Sequence, residues 1–403
     1  MECANEQRPV LSGREKVKYS ALDVEDGPNP DSTGNVQDGE IFNLNDNSTT
    51  EEKVNMIVVC SVPIIFPFLL NDSNIFAGVS LGLTYCNISF LSVMEGFSSA
   101  VETLSSNYNG SKNYSAVGQT LHKSIVSLSL VALPLLSSWF FVHQIFGMMG
   151  VSEELSLIAN EFLLARICAA PLEICMMSYM KYLQSMGIMN PGMYAGICYN
   201  LVLAVLCYLC VHVWKYSFVS LAWCHVVSVV IECLLLVALT HDKKEVRRTM
   251  VPPTLDSVLA VGDFLLFGFS GCVMMCAEWW AFELLTIFAS MVSSQALSAQ
   301  TVMLQAITIF FMFPLGIGIS TGAIVGNALG AGHKQLAISI GYISLAVIFV
   351  IDLILCPLIL YFRQDFVELF TSDPAVIYTC VHQCFPLLAV EIFIDGAQAV
   401  SCG

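Results

Sequence analysis

Residues 259–290 read LAVGDFLLFGFSGCVMMCAEWWAFELLTIFAS. The run exceeds the roughly 20 apolar residues that carry a helix across a bilayer. Yet the carboxylates Glu278 and Glu283 flank the tryptophan pair Trp279 and Trp280 inside it. An acid at mid-bilayer costs roughly 2.5–3.5 kcal/mol on insertion scales, so acids kept there point to function.

The rest of the chain is of the same kind. Of its 403 residues 56% are hydrophobic and only 12% are charged, whereas a soluble domain carries about a quarter charged residues. Ten apolar segments fall near 54–70, 76–104, 123–146, 159–181, 193–214, 217–240, 259–290, 297–326, 335–361 and 376–402. Their lengths predict helices, since a transmembrane barrel would show short alternating strands. The predicted fold class is therefore an all-α polytopic membrane protein, with a shortened first helix.

Residues 1–53 differ in kind, holding 12 acids and 5 bases among Gly, Asn, Asp and Ser. Such a segment buries too little apolar surface to offset its ordering entropy and reads as a disordered acidic cytoplasmic tail. It lacks the apolar core of a cleavable signal peptide. No basic patch suited to nucleic acid appears. The 16 cysteines lie mostly inside apolar runs. The pair in CYLC (207–210) stands mid-span without a companion cluster, and reads as small apolar filling.

With the tail inside, the inward turns hold Lys112, Lys123, Lys181, Lys243, Lys244, Arg247, Arg248 and Lys334, against Lys215 and Arg363 outside. This asymmetry predicts a cytoplasmic amino terminus. The charged, Pro-rich run HDKKEVRRTMVPPTLD (241–256) reads as the link between two halves, 54–245 with helices one to six and 246–403 with helices seven to ten. The halves repeat. FVHQIFGMMGVSEE (141–154) matches YFRQDFVELFTSDP (361–374), an offset of 220 residues. GFSSAVETLSSNYNGSK (96–112) matches GISTGAIVGNALGAGHK (318–334), an offset of 222, which pairs Gly110 with Gly332 and Lys112 with Lys334. Six helices per unit make the repeat parallel, with its axis along the membrane normal. Helices five and six have no counterparts before Gly403, so the sequence reads as a fragment, splice form or faulty gene model of a twelve-helix protein.

Glu278 and Glu283 point some 140° apart, because five residues turn a helix by about 500°. Glu391 and Asp395, four apart in the last segment, share a face. If the seventh and tenth segments pack together, Glu278 and Asp395 converge on one desolvated cavity. Carboxyls in such surroundings can titrate near neutral pH, as a proton-coupled exchanger needs, and a cationic substrate would compete for the same oxygens. Trp279 and Trp280 could stack on an organic cation. The alternative is that the acids snorkel, or pair with Arg166 or a helix end; for the lone Glu173, Glu232 and Asp352 that reading is preferred.

CAEWWAFE (276–283) followed by VGNALGAG (325–332) resembles the eukaryotic branch of the multidrug and toxic compound extrusion (MATE) family. The resemblance extends through KYLQSMGIMNPG (181–192), YNLVLAVLCYL (199–209) and EIFIDGAQAVSCG (391–403), covering nearly everything from residue 54 onward. It implies two six-helix lobes around a central cavity that opens alternately to each side. It also implies export of organic cations, drugs or secondary metabolites in exchange for protons, without a cofactor or resident metal, by a monomer in the plasma membrane or a vacuolar or vesicular one. It makes Glu278 the proton and cation carboxylate, Asp395 its acidic partner, Glu283 a second acid, and Asn87 a polar cavity position. Gln305 stands where animal members carry an acid. Two other readings remain: a truncated product that transports nothing, being inert or regulatory, and a membrane-embedded carboxylate enzyme. Against the latter, AVGD (260–263) lacks the first glycine of GxGD and no HExxH occurs.

Overall fold

The computed structural model describes residues 73–254, 261–371 and 373–402. The acidic segment 1–53 and the expected first span at 54–70 lie outside the described residues. Among the described residues nine helices are long and apolar enough to cross a membrane. They are α1 (Ala77–Gly110), α2 (Tyr114–Met148), α3 (Glu153–Ser185), α4 (Asn190–Val213), α5 (Val219–Thr240), α7 (Val261–Ala289), α8 (Gln295–Gly330), α9 (Lys334–Glu368) and α10 (Pro374–Ser401). These are the second to tenth apolar segments of the sequence. The short α6 (Lys244–Thr249) lies in the charged link.

Helix starts follow local chemistry. Asn113 caps α2 by accepting from the Ala116 amide at 3.3 Å, and Asp373 caps α10 by accepting from Ala375 at 2.9 Å, with Pro374 in the first turn. Pro134, Pro314 and Pro357 sit inside α2, α8 and α9, where the missing amide weakens the helical ladder and favours a bend. α1 is interrupted by a π turn at Asn87–Leu91. π turns release backbone carbonyls from the regular pattern, and that of Ile88 is used by another helix, as shown below.

Helices α1 to α5 pack on one another, and so do α8, α9 and α10. Helix α7 lies along α1 and also touches α8 and α2, so Cys272 and Cys276 join the core of Phe90, Met94, Leu128 and Trp139. The described part of the link, 241–254, is fastened to the helices. Val246 of α6 is buried in a core with Val117 and Tyr182, the Tyr182 hydroxyl bonds Thr249, and a His122 ring nitrogen lies 2.9 Å from the Val251 carbonyl. Lys123 and Lys181, expected in loops, belong to helices α2 and α3.

The repeat is visible in the backbone at one offset only. Lys112 and Gly332 both have positive φ, 58° and 81°. The next residues, Asn113 and His333, have φ/ψ of −87°/69° and −90°/67°. Ser111 N donates to Asn107 O and Ala331 N to Asn327 O, each at 3.0 Å. The offset here is 220, not 222, and it agrees with the match at 141–154. Gly110 therefore corresponds to Gly330. The ends of α1 and α8 also meet reciprocally: a Cβ on Gly110 would strike the Asn327 carbonyl, and one on Gly330 the Asn107 carbonyl. Reciprocal contact of equivalent residues is the signature of a two-fold relation.

Candidate functional site

Glu278 reaches the last helix through a side-chain hydrogen bond. Gln398 Nε2 on α10 donates to Glu278 Oε2 on α7 at 2.8 Å. Asp395 lies one turn before Gln398 on the same face, within electrostatic reach of Glu278. It lines a cleft with Ile307, Phe310, Phe311 and Pro314 of α8 and Leu388 and Ile392 of α10. Glu391, one turn earlier still, is half-buried and in electrostatic reach of Asp395. Apart from Asp395 the lining of the cleft is apolar. A carboxylate held by a neutral amide keeps free lone pairs for a proton or a cation.

The remaining expected positions are spread more widely. Glu283 and Trp279 are half-buried on α7, Gln305 is half-buried on α8, and Asn87 is half-buried in the π turn of α1. Trp280 faces the other group of helices. Its indole N–H donates to the freed Ile88 carbonyl at 3.2 Å and to Ser92 Oγ at 3.3 Å. Two residues apart, Glu278 and Trp280 thus serve opposite sides of α7.

Asp352, Glu173 and Glu232 have distinct settings. Asp352 on α9 is 1% exposed and packs on Gly396 of α10. Glu173 on α3 accepts from Arg166 Nη2 at 2.9 Å and lies 2.7 Å from His225 Nε2, while His225 Nδ1 lies 2.8 Å from the Tyr199 hydroxyl. Its pairing with Arg166 is the structural role preferred for it from sequence. Glu232 is half-buried in electrostatic reach of Glu173.

Known sequences place this architecture. The chain matches the MatE family over residues 55–209 and 271–403. It belongs to that family. Among curated MatE-type relatives, Multidrug and toxin extrusion protein 1 of Homo sapiens is 27% identical over 417 aligned positions, spanning all of this chain and 70% of its own length. The rabbit (Oryctolagus cuniculus) protein of the same name is 28% identical over 81% of this chain and 57% of its own length. Protein DETOXIFICATION 6 of Arabidopsis thaliana is 25% identical over 81% of this chain and 68% of its own. The chain thus spans between 57% and 70% of these relatives' lengths. Among solved structures, the eukaryotic MATE transporter AtDTX14 superposes with a TM-score of 0.81 at 22% identity, covering 88% of this chain and 81% of the other. The MatE fold and a multi-pass membrane location follow.

Two features of this MatE chain rest on helix packing that the sequence alone does not give. Lys181 Nζ lies 3.0 Å from Glu95 and 3.5 Å from Glu102. Glu95 and Glu102 are seven apart, two turns on one helix face, which was the signal available. Asp352 is the other, and its partner helix could not be inferred from sequence.

Proposed function

We propose that this chain is a proton-coupled antiporter that exports organic cations, drugs or other xenobiotics. The observation that carries the reading is Glu278 on α7 held by Gln398 of α10, one turn from Asp395 in an apolar cleft. A carboxylate there binds either a proton or a cation, and competition between the two for one site couples their opposite movements. The names of the relatives, multidrug and toxin extrusion and DETOXIFICATION, support export as the direction.

In this reading the lobes are 54–245 and 246–403, rocking about the seam of α1 with α7 and α8. The amino terminus is cytoplasmic, and the transporter works as a monomer in the plasma membrane or a vacuolar or vesicular one. Asp395 shares the proton with Glu278, while Glu283 and Glu391 hold secondary acidic positions. Trp279, Asn87 and Gln305 contact the substrate, and Trp280 closes the seam beside it. No cofactor takes part.

Proteoliposomes holding the purified chain and loaded with ethidium, a fluorescent organic cation, test the reading. An imposed proton gradient should drive ethidium flux in the unaltered protein, and Glu278→Gln should abolish it. Flux that survives Glu278→Gln at the original rate would end the proposal.

A further inference from the structure

We propose that Asp352 is a third proton-holding carboxyl, working with Asp395 and Glu278. The inference rests on the antiport reading above and deepens it.

Asp352 lies in the middle of α9, where the helix packs against both α8 and α10. Its side chain is 1% exposed, and its Oδ1 is buried without a hydrogen-bond partner among the described residues. The other oxygen, Oδ2, rests against Gly396, so closely that a Cβ there would collide with it, while Ile348 Cγ1 stands 3.0 Å from the same point. Gly396 is the residue after Asp395. The missing side chain at 396 thus lets a carboxyl of α9 reach the α10 backbone beside Asp395.

Among the described residues the charges around Asp352 offer no compensation. From α10 it faces Asp395, with Glu391 one turn further, and Glu278 of α7 stands beyond Asp395. Helix α8 contributes no titratable side chain, and Cys356 on α9 itself is bonded to the Ala389 carbonyl at 3.2 Å. The cations of α9 are remote: Arg363 lies 11 residues on, about 16 Å along the helix. An ionised carboxylate buried without a partner costs several kcal/mol, and the usual escape is to carry a proton. Oδ1 is then the atom that holds it, and Asp395 is the neighbouring acid with which to exchange it. The buried Glu173, by contrast, has Arg166 and His225 at one of its oxygens, whereas the group facing Asp352 is another acid.

Two measurements on the full chain test this. Infrared spectra of the purified protein at neutral pH should contain a carboxylic-acid carbonyl band that Asp352→Asn removes. In proteoliposomes, the reversal of ethidium flux under opposed proton and ethidium gradients gives the protons exchanged per ethidium. Asp352→Asn should lower that ratio by one. If Asp352→Asn cannot be recovered folded, Gly396→Ala, which pushes a methyl onto the carboxyl, should shift the same band and depress the same ratio. Unchanged spectra, or an unchanged ratio in a variant that still transports, would overturn the proposal. Should the unaltered chain move no ethidium, the antiport reading fails on its own, and the infrared band still decides whether Asp352 holds a proton.

Discussion

Gly110 lies against the Asn327 carbonyl at the end of α1, and Gly330 lies against the Asn107 carbonyl at the end of α8. The two contacts exchange under the 220-residue repeat. Between them Asn109 Nδ2 donates to Asn327 Oδ1 at 2.7 Å, and Asn327 Nδ2 donates to the Ser185 carbonyl at 2.9 Å. Small residues permit this approach in a membrane, where packing rather than water expulsion holds helices together.

Because the contacts are equivalent, their losses should be equal. Gly110→Ala and Gly330→Ala each force a methyl onto a carbonyl oxygen and should destabilise by about 1–3 kcal/mol, the usual cost of overpacking. Thermal melting of the purified protein checks this. Two unaltered melting temperatures would mean that the reciprocal seam is not a tight one.

The polarity of Gln398 matters more than its size. Gln398→Leu removes the donor to Glu278, and Gln398→Glu replaces it with a further negative charge one turn from Asp395. Ethidium flux under a proton gradient should fall in the order unaltered, Gln398→Leu, Gln398→Glu. Equal flux in the two variants would remove Gln398 from the coupling site.

Rocking of the lobes requires α1 and α7 to change their contact. Cys276 Sγ stands 3.8 Å from Ser92 Oγ across that seam. A cysteine introduced by Ser92→Cys should therefore oxidise with Cys276, because the separation lies within the small adjustment that a disulfide needs. The cross-link should arrest ethidium flux, and reductant should restore it. Undiminished flux in fully cross-linked protein would show that this seam stays fixed.

Much of this architecture was legible because membrane helices announce themselves one at a time. Apolar length located α1 to α5 and α7 to α10, but the side chain of α10 that bonds Glu278 is Gln398, a neutral amide to which no sequence signal pointed. What the sequence hid was register and partnership. Gly, Ser and Lys recur so often near helix ends that 96–112 matches 318–334 two residues out of step, and the positive φ of Lys112 and Gly332 with the Asn107 and Asn327 turns settles the offset. Asp352 looked like a lone acid because its setting depends on Gly396, 44 residues away. Lys181 counted as a loop charge until helix α3 was seen to continue through it to Ser185, with Glu95 and Glu102 as its partners.

The Arg166–Glu173–His225–Tyr199 chain ties α3, α4 and α5 together in a buried setting, where removing one ion leaves the other uncompensated. Breaking such a pair costs roughly 3–5 kcal/mol, whereas replacing both ions by apolar groups is often neutral or stabilising. Arg166→Met alone should therefore lower the melting temperature sharply, since Glu173 would keep only His225. Glu173→Met alone should do the same by stranding Arg166, whose Nε already lacks a partner among the described residues. The double variant should recover most of the loss. The interaction energy from the double-mutant cycle, read from melting of the purified proteins, separates this from simple loss of packing. Additive losses would show that the pair does not act as a unit, and would reopen Glu173 as a residue kept for something other than structure.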